Sequence, residues 1–409
     1  MRRVVVTGLG VLSPIGNTVA EFFDALVHSR SGIRRLPDDL QAAGSDLVAG
    51  LVSFDAAAHW PPHQSAQFDR ATQFALVAAR QALSDAAFSP SGEEAFSTGV
   101  YWGTGLGGAH AIEDSYRQLF AGSGRVRPTA VVLGMNNAAA GQVSIANGLR
   151  GPIVNFSTAC SSSATSIGEA FRAIRDGYAE AIVAGGSEAL VTAGNLRAWD
   201  AMQALAHADS RDASRSCKPF SANRTGIVLG EGAGAVMLES EESARRRNAR
   251  ILAEVVGYGN AADARGISKP DASGQARAMR AALADARVDA TEIGYVNAHG
   301  TATPIGDVVE TTAIKEAFGC ASATLALSST KALHGHLMGA TGAVEFIAAL
   351  CALDRGVIPP TAHLERPDPA CDLDYVANEA RARSLDVVMS NSFGFGGMNA
   401  VLIARRYDA

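Results

Sequence analysis

The chain has 409 residues, 47% of them hydrophobic, enough to bury a large core in two or three domains or in one duplicated unit, and this excludes a disordered protein. Its 35 lysines and arginines against 41 aspartates and glutamates give a net charge of −6, and the one basic run, "RRR" at 245–247, reads as a solvated helix face. Nothing in that balance attracts nucleic acid or an anionic membrane. Five cysteines, at 160, 217, 320, 351 and 371, form no CxxC pair and no metal-ligand spacing, which predicts free thiols in a reducing, cytoplasmic setting.

The opening "MRRVVVTGLGVLSP" imitates a signal peptide, with two arginines before an apolar run. Glycines and Pro14 interrupt it and no small-x-small cleavage site follows promptly, so a buried first strand is expected. No uninterrupted apolar run of about 18 residues occurs, so no membrane span is expected. Further along, β-branched runs ("STGVYWGTG", "AIVAGG", "IGYVNAHG") alternate with Ala-rich helical patterns ("QFALVAARQALSDA", "GQARAMRAALADA", "GAVEFIAALCALDRG"), which predicts an α/β fold with buried strands. Two comparisons point to an internal duplication. Residues 79–105 and 279–301 share the order helix, linker, strand, and residues 226–240 and 391–405 are both Gly-rich turns between strand-like runs. The halves then meet near residue 250, with no Pro/Gly/Ser-rich linker between them, so one fused unit is expected.

In "NFSTACSSSATSIGEAFRAIRDG" a strand-like run leads to Cys160, and Ile167, Phe171 and Ile174 then give one apolar helical face that Gly177 stops. Such a strand-to-helix elbow exposes its nucleophile, and the unpaired N–H groups with the helix dipole are expected to lower the thiol pKa from its usual value of about 8.5. The alternative is a small packed cysteine, which is also the reading for Cys217, Cys320, Cys351 and Cys371. The serines that follow Cys160 read as small helix-opening residues without chemistry. A nucleophilic cysteine needs a base or charge partner from elsewhere in the chain. His299 ends a strand in "YVNAHGTATPIGD", where α/β sheets place ligand sites, and "STKALHGHLMGATGAVE" sets Lys331, His334 and His336 before a helix that contains Glu345.

Zinc held by His299, His334 and His336 is a weak reading, since His-x-His has no carboxylate or cysteine ligand nearby. "GTGLGG" at 103–108 formally matches a dinucleotide fingerprint, but Glu113 and Asp114 come too soon to be its ribose acid. No Walker A sequence and no G-x-S-x-G occurs. In "SNSFGFGGMNA" the glycines let backbone approach a substrate, and Phe393 and Phe395 read as movable covers; a plain hairpin turn is the alternative.

Together "TACSSS", "VNAHGTATPIGD", "TKALHGHLMGATGAVE" and "NSFGFGGMNA" resemble the β-ketoacyl-acyl carrier protein synthases, the elongating condensing enzymes of fatty acid and polyketide synthesis, from "VVVTGLGVLSPIGN" to "NAVLIAR". The resemblance implies an α/β thiolase fold, two βαβαβαββ halves in five α/β/α/β/α layers, here 1–250 with Cys160 and 251–409 with His299 and His336. It implies no cofactor, and a dimer formed with a second copy or with a chain-length-factor-like subunit. In the implied reaction, decarboxylative Claisen condensation, Cys160 takes an acyl chain from acyl carrier protein and the N–H groups of Cys160 and Phe395 form an oxyanion hole. His299 and His336 bind the malonyl thioester and assist loss of carbon dioxide, giving a 3-oxoacyl-carrier product in fatty acid, polyene or polyketide elongation. Lys331 is implied as a catalytic support, and Phe395, Phe393, Glu345, Thr301, Thr303 and Gly396 as substrate-binding or gating residues. The positions of Asn297, Glu345, Ser390 and Asn391 match the locale of a structural monovalent cation. Two histidines separate this type from thiolases, and the alternative roles are a noncatalytic chain-length partner and an acyltransferase without decarboxylation.

The chain departs from the family pattern at several places. His334 and Met398 stand where Thr is common, both expected to flank the active site. In "RPTAVVLGMNN" (127–137), the stretch that closes the partner's acyl tunnel, Thr129 and Ala130 replace bulky aromatics, which implies a wider or longer tunnel. "PPHQSAQFDRATQF" offers only Arg70 for docking acidic carrier protein, and Gln203 replaces a frequent arginine, which implies a dedicated partner and a specialised pathway.

Overall fold

The computed structural model describes residues 2–122 and 124–408. The N-terminal run is the fully buried strand β1 (Val4–Leu12). Four more strands complete the first half of the central sheet: β2 (Thr98–Gly103), β3 (Ile153–Phe156), β4 (Ala181–Glu188) and β5 (Gly232–Ser240). The second half supplies β6 (Ala253–Ala262), β7 (Tyr295–Asn297), β8 (Ala326–Ser328), β9 (Val387–Gly394) and β10 (Met398–Arg405). Read outward from the centre the first half runs β1-β5-β4-β2-β3 and the second β6-β10-β9-β7-β8, the same order twice. The directions repeat as well: β2 is parallel to both β3 and β4, as β7 is to β8 and β9, while the two innermost pairings in each half are antiparallel. The halves join where Val4–Val6 of β1 pair antiparallel with Ala253–Val255 of β6.

Helices α1 (Arg70–Asp85) and α3 (Ala272–Ala286) cover the outer faces, packing on β1 with β5 and on β6 with β10. Asp69 and Asp271 cap them, each accepting a backbone N–H of the first turn. Helices α2 (Ser162–Arg175) and α5 (Thr341–Arg355) lie between the two half-sheets, and each touches strands of both. They are apolar or small nearly all round because they have sheet on two sides, so α5 is buried from Thr341 through Leu353 and ends at Gly356, in a left-handed conformation with φ 64°. Helix α4 (Gly306–Phe318) packs beside α3. This is the expected duplicated thiolase architecture. No helix among the described residues is long and apolar enough to cross a membrane.

The duplication extends to atomic contacts. A Cβ on Gly10 of β1 would stand 2.0 Å from the Ala78 carbonyl oxygen of α1, and one on Gly259 of β6 would stand 2.0 Å from that of Ala278 in α3. Glycine in the strand facing alanine in the helix is what lets each outer helix approach so closely. Gly259→Ala is expected to lower stability by about 1–3 kcal/mol, because backbone on both sides must move. A thermal or urea unfolding midpoint equal to that of the parent would contradict this account of the packing.

Candidate active site

Cys160 sits where β3 gives way to a one-turn 3-10 segment, Ala159–Ser161, and then to α2. Ala159 is held at φ +51°, a costly conformation for a residue with a Cβ, and the turn is pinned by side chains. Ser162 Oγ accepts the Thr158 N–H (2.9 Å) and Ser163 Oγ accepts the Ala343 N–H of α5 (2.8 Å), so the serines tie the elbow to both central helices. The backbone N–H groups of Phe395 and of Cys160 itself are directed at the sulfur. The elbow is as expected, but its effect on the thiol is reversed. Cys160 is 4% exposed, and burial pushes its pKa up to about 11, outweighing the two N–H groups and the positive field of Lys331 that favour the thiolate.

The same cavity, about 400 Å³, takes in His299 and His336. Their rings stand edge to face with centroids 5.4 Å apart, and Phe393 packs against His299 at 5.8 Å. His336 Nδ1 receives the Met338 N–H (3.2 Å) and contacts Thr341 Oγ1 (2.8 Å). A backbone N–H cannot turn away, so Nδ1 carries the lone pair and the ring proton is assigned to Nε2. That Nε2 is buried without a protein partner, as is Nδ1 of His299. Burial first, then the nearby Lys331 charge, holds both imidazoles well below the usual histidine pKa, so both are neutral near pH 7. Two neutral imidazoles with free nitrogens beside a thiol can bind a carbonyl oxygen without adding a charge.

Lys331 and Glu345 do not line the cavity but stand behind it. The fully buried ammonium donates to both carboxylate oxygens of Glu345 (2.6 and 2.8 Å) and to the His299 carbonyl, which uses all three of its protons. Burial raises the Glu345 carboxyl to about 7 against the pull of Lys331. Its expected contact with substrate is therefore corrected to a supporting role: it anchors Lys331, and Lys331 anchors the His299 loop. Glu310 of α4, not singled out in the sequence, accepts the N–H groups of His299 (2.8 Å) and Gly300 (2.7 Å) from the other side. Around this cluster Asn297 Oδ1, Ser390 Oγ and Asn391 Oδ1 are buried oxygens without protein partners.

Thr301, Thr303, Phe393 and Phe395 line the cavity as expected. Phe395 stacks on Trp199 at 5.6 Å, and Gly396 (φ +83°), just outside, donates to the Ile267 carbonyl. His334 does not reach the cavity. Its two ring nitrogens contact the Gly335 carbonyl (2.7 Å) and Thr330 Oγ1 (3.0 Å), which corrects the expectation that it flanks the active site: it faces away from the cavity and has no lone pair left for zinc. Among the described residues no cluster of three or more His, Cys, Asp or Glu could hold a metal. The glycine loop of 103–108 is also reassigned. Gly105 and Leu106 N–H and Thr104 Oγ1 point inward to the buried Glu188, which also accepts Gly339 N–H (3.0 Å), so a carboxylate of the chain itself takes the donors a diphosphate would need. Met398 is 42% exposed and lies at the surface rather than in the cavity.

Because burial holds the thiol protonated, alkylation of Cys160 by iodoacetamide, followed site by site by mass spectrometry, is expected to be slow at pH 7 and still rising at pH 9. A plateau near pH 7–8 would mean that the dipole and Lys331 dominate instead.

Comparison with known proteins agrees with this geometry. Residues 1–244 match the model of the β-ketoacyl synthase N-terminal domain and residues 252–365 that of the C-terminal domain. The chain is 42% identical over 412 residues to 3-oxoacyl-[acyl-carrier-protein] synthase 2 of Staphylococcus aureus, covering 100% of this chain and 99% of that one, and 40% identical to the Synechocystis protein of the same name, again over 100% and 99%. Among solved structures, a β-ketoacyl synthase from Burkholderia phymatum (38% identity) and the ishigamide ketosynthase/chain length factor (34%) each superpose with a TM-score of 0.91 over the full length of both chains. A type II polyketide ketosynthase solved with its acyl-carrier protein, at 29% identity, gives 0.91 as well. With this architecture, this elbow cysteine and these matches over its whole length, the chain belongs to the β-ketoacyl synthase family of condensing enzymes.

Proposed function

We propose that this chain elongates an acyl chain by decarboxylative Claisen condensation, with the 1–250 half supplying the nucleophile and the 251–409 half the decarboxylating pair. The observation that carries the reading is the gathering of Cys160, His299 and His336 on one cavity, with two backbone N–H groups directed at the sulfur and a free nitrogen on each imidazole. Cys160 Sγ attacks the thioester carbon of an acyl carrier protein. A sulfur–carbon bond forms, the carrier thiolate leaves, and it takes the proton the cysteine gives up. The N–H groups of Cys160 and Phe395 hold the oxyanion in this step. Malonyl carrier protein then places its thioester carbonyl against the imidazoles, where the His336 Nε2–H donates to the oxygen. Carbon dioxide leaves, the electron pair moves into the enolate, and the enolate carbon attacks the acyl-Cys carbonyl, expelling the cysteine as a thiolate that takes up a proton from solvent and releasing 3-oxoacyl carrier protein. Lys331 is a positioning residue, since its ammonium is spent on Glu345 and the His299 carbonyl.

The edge strand β3 and the helix Ala130–Gly134 leave Ile153, Val131 and Val132 to solvent in a single chain, and a second protomer fits there, identical or chain-length-factor-like. Retention of Cys160, His299 and His336 favours the catalytic rather than the chain-length role for this chain. Thr129 and Ala130, beside that surface, would leave the partner's acyl tunnel wide. The unpartnered oxygens of Asn297, Ser390 and Asn391, with Glu345 adjacent, fit a monovalent cation, which would supply charge compensation and rigidity.

Intact-mass analysis after incubation with acyl carrier protein is expected to show an acyl adduct on the parent and none on Cys160→Ala; a persistent adduct on that variant would move the nucleophile elsewhere. Carbon dioxide release from malonyl carrier protein is expected to fall about 10²–10³-fold in His336→Ala, the scale of losing one oxyanion donor. Release at the parental rate would remove that histidine from the mechanism.

A further inference from the structure

Glu188 ends β4, where it pairs with Gly232 of β5, and it has no exposed surface. Donors from two loops meet its carboxylate. Thr104 Oγ1 (3.1 Å) and the N–H groups of Gly105 (2.6 Å) and Leu106 (3.2 Å) come from the loop after β2, and Gly339 N–H (3.0 Å) comes from the turn between His336 and α5. Burial pushes the carboxyl up to about 7, and these four donors favour its ionised form.

The turn that Glu188 holds is the one that sets His336. Residues 337–340 link His336 to α5, and Met338 stands there at φ +49°, a costly conformation that lasts only where the surroundings impose it. Met338 N–H donates to His336 Nδ1 (3.2 Å), which keeps the lone pair there and the ring proton on Nε2. Among the described residues, Gly339 N–H to Glu188 is the one hydrogen bond from 337–340 to the first half of the chain. Space is equally tight. A Cβ on Gly339 would stand 2.5 Å from Glu188 Oε2 and 2.5 Å from the Gly105 nitrogen, and a Cβ on Gly186 would stand 3.1 Å from the Gly339 carbonyl oxygen. Met338 itself packs in one apolar cluster with Cys160 and with Leu190 and Val191, which follow Glu188.

We propose that Glu188 is a positioning residue for decarboxylation: it holds the 337–340 turn and, through Met338 N–H, keeps the His336 Nε2–H aimed at the malonyl carbonyl. The proposal rests on the condensing role above and adds a first-half residue that orients a second-half histidine. If the turn lets go, Met338 N–H leaves Nδ1, the ring proton can move there, and Nε2 then turns a lone pair toward the carbonyl oxygen. The carboxylate also acts on the thiol by its charge. Lys331 favours the Cys160 thiolate and Glu188 opposes it, so two buried groups of opposite sign act on one sulfur.

Two variants separate position from charge. Glu188→Gln removes the charge and leaves a single acceptor oxygen, whereas Gly339→Ala keeps the charge and pushes the turn away from it. Carbon dioxide release from malonyl carrier protein is expected to fall about tenfold to a hundredfold in each, and acylation of Cys160 by octanoyl-pantetheine by about threefold or less. The double variant is expected to lose about as much as the worse single one, because both changes break the same link. Iodoacetamide alkylation of Cys160 is expected to shift to lower pH in Glu188→Gln and to keep the parental pH profile in Gly339→Ala. If Glu188→Gln does not fold, the ratio of the two rates in Gly339→Ala decides the matter alone. Equal losses of both rates, or losses that multiply in the double variant, would make the contact merely structural and overturn the proposal. Carbon dioxide release at the parental rate in either variant would overturn it as well. A parent that releases no carbon dioxide would instead sink the condensing role.

Discussion

A single buried ammonium holds the reaction centre together. Lys331 has no exposed surface, and its three protons go to the two oxygens of Glu345 and the carbonyl of His299. An unpaired ammonium at that depth would cost several kcal/mol, so the helix that brings Glu345 and the loop that brings His299 are both fixed by the need to satisfy it. Its field then acts on everything nearby. It deepens the loss of basicity that burial imposes on His299 and His336 and draws the Cys160 thiol down against a larger upward push from desolvation. One charge thus fixes the position of one histidine and reinforces the neutrality that burial imposes on both.

The duplication explains why such a cluster can exist. Two half-sheets of the same strand order close on α2 and α5, and the ends of those helices that open toward the site carry Cys160 and follow His336. Helix α2 belongs to the first half and α5 to the second, so Cys160 and the two imidazoles come from different repeats and meet only when the halves pack. Small residues make that meeting possible: a Cβ on Gly342 of α5 would lie 2.7 Å from the Ala164 methyl carbon of α2. The strand glycines opposite Ala78 and Ala278 serve the same purpose on the outer faces. Close approach in every layer is what makes the centre dry enough to hold neutral histidines.

Much of this was legible in the sequence. Alternating short strands and Ala-rich helices predicted the layers, and the paired segments 79–105 and 279–301 are indeed the outer helix and second strand of each half. Cys160, His299 and His336 stood out because glycines or small residues surround them. Glu310 did not, because in "GDVVETTAIKEAF" it reads as one more solvated helical carboxylate; it is buried only because α4 lays its first turns over the His299 loop. Glu188 is hidden in the same way, at the end of a strand and bound to Gly105, 83 residues earlier in the chain. His334 lies off the cavity for a local reason. Gly335 at φ +75° reverses the backbone between it and His336, so residues two apart face opposite ways. The raised thiol pKa is not legible in the sequence, because an elbow can be read from spacing while the depth at which it lies cannot.

That raised pKa has a mechanistic consequence. The two N–H groups directed at Cys160 Sγ stabilise negative charge at one place, but the charge moves during the reaction. In the free enzyme burial keeps the thiol neutral, so the donors are not committed to a thiolate that would have to be pulled away from them. In the proposed reaction charge develops on the thioester oxygen as the sulfur attacks, and donors with no anion to release would meet it at little reorganisation cost. The imidazoles follow the same logic. Neutral and partnerless on the cavity side, they would give up no stabilised cation to a malonyl carbonyl in the proposed reaction, and their hydrogen bonds to it would strengthen only as carbon dioxide leaves and the oxygen becomes an enolate. A site that is uncharged on its working face before substrate binds keeps its electrostatic capacity for the two moments at which charge appears.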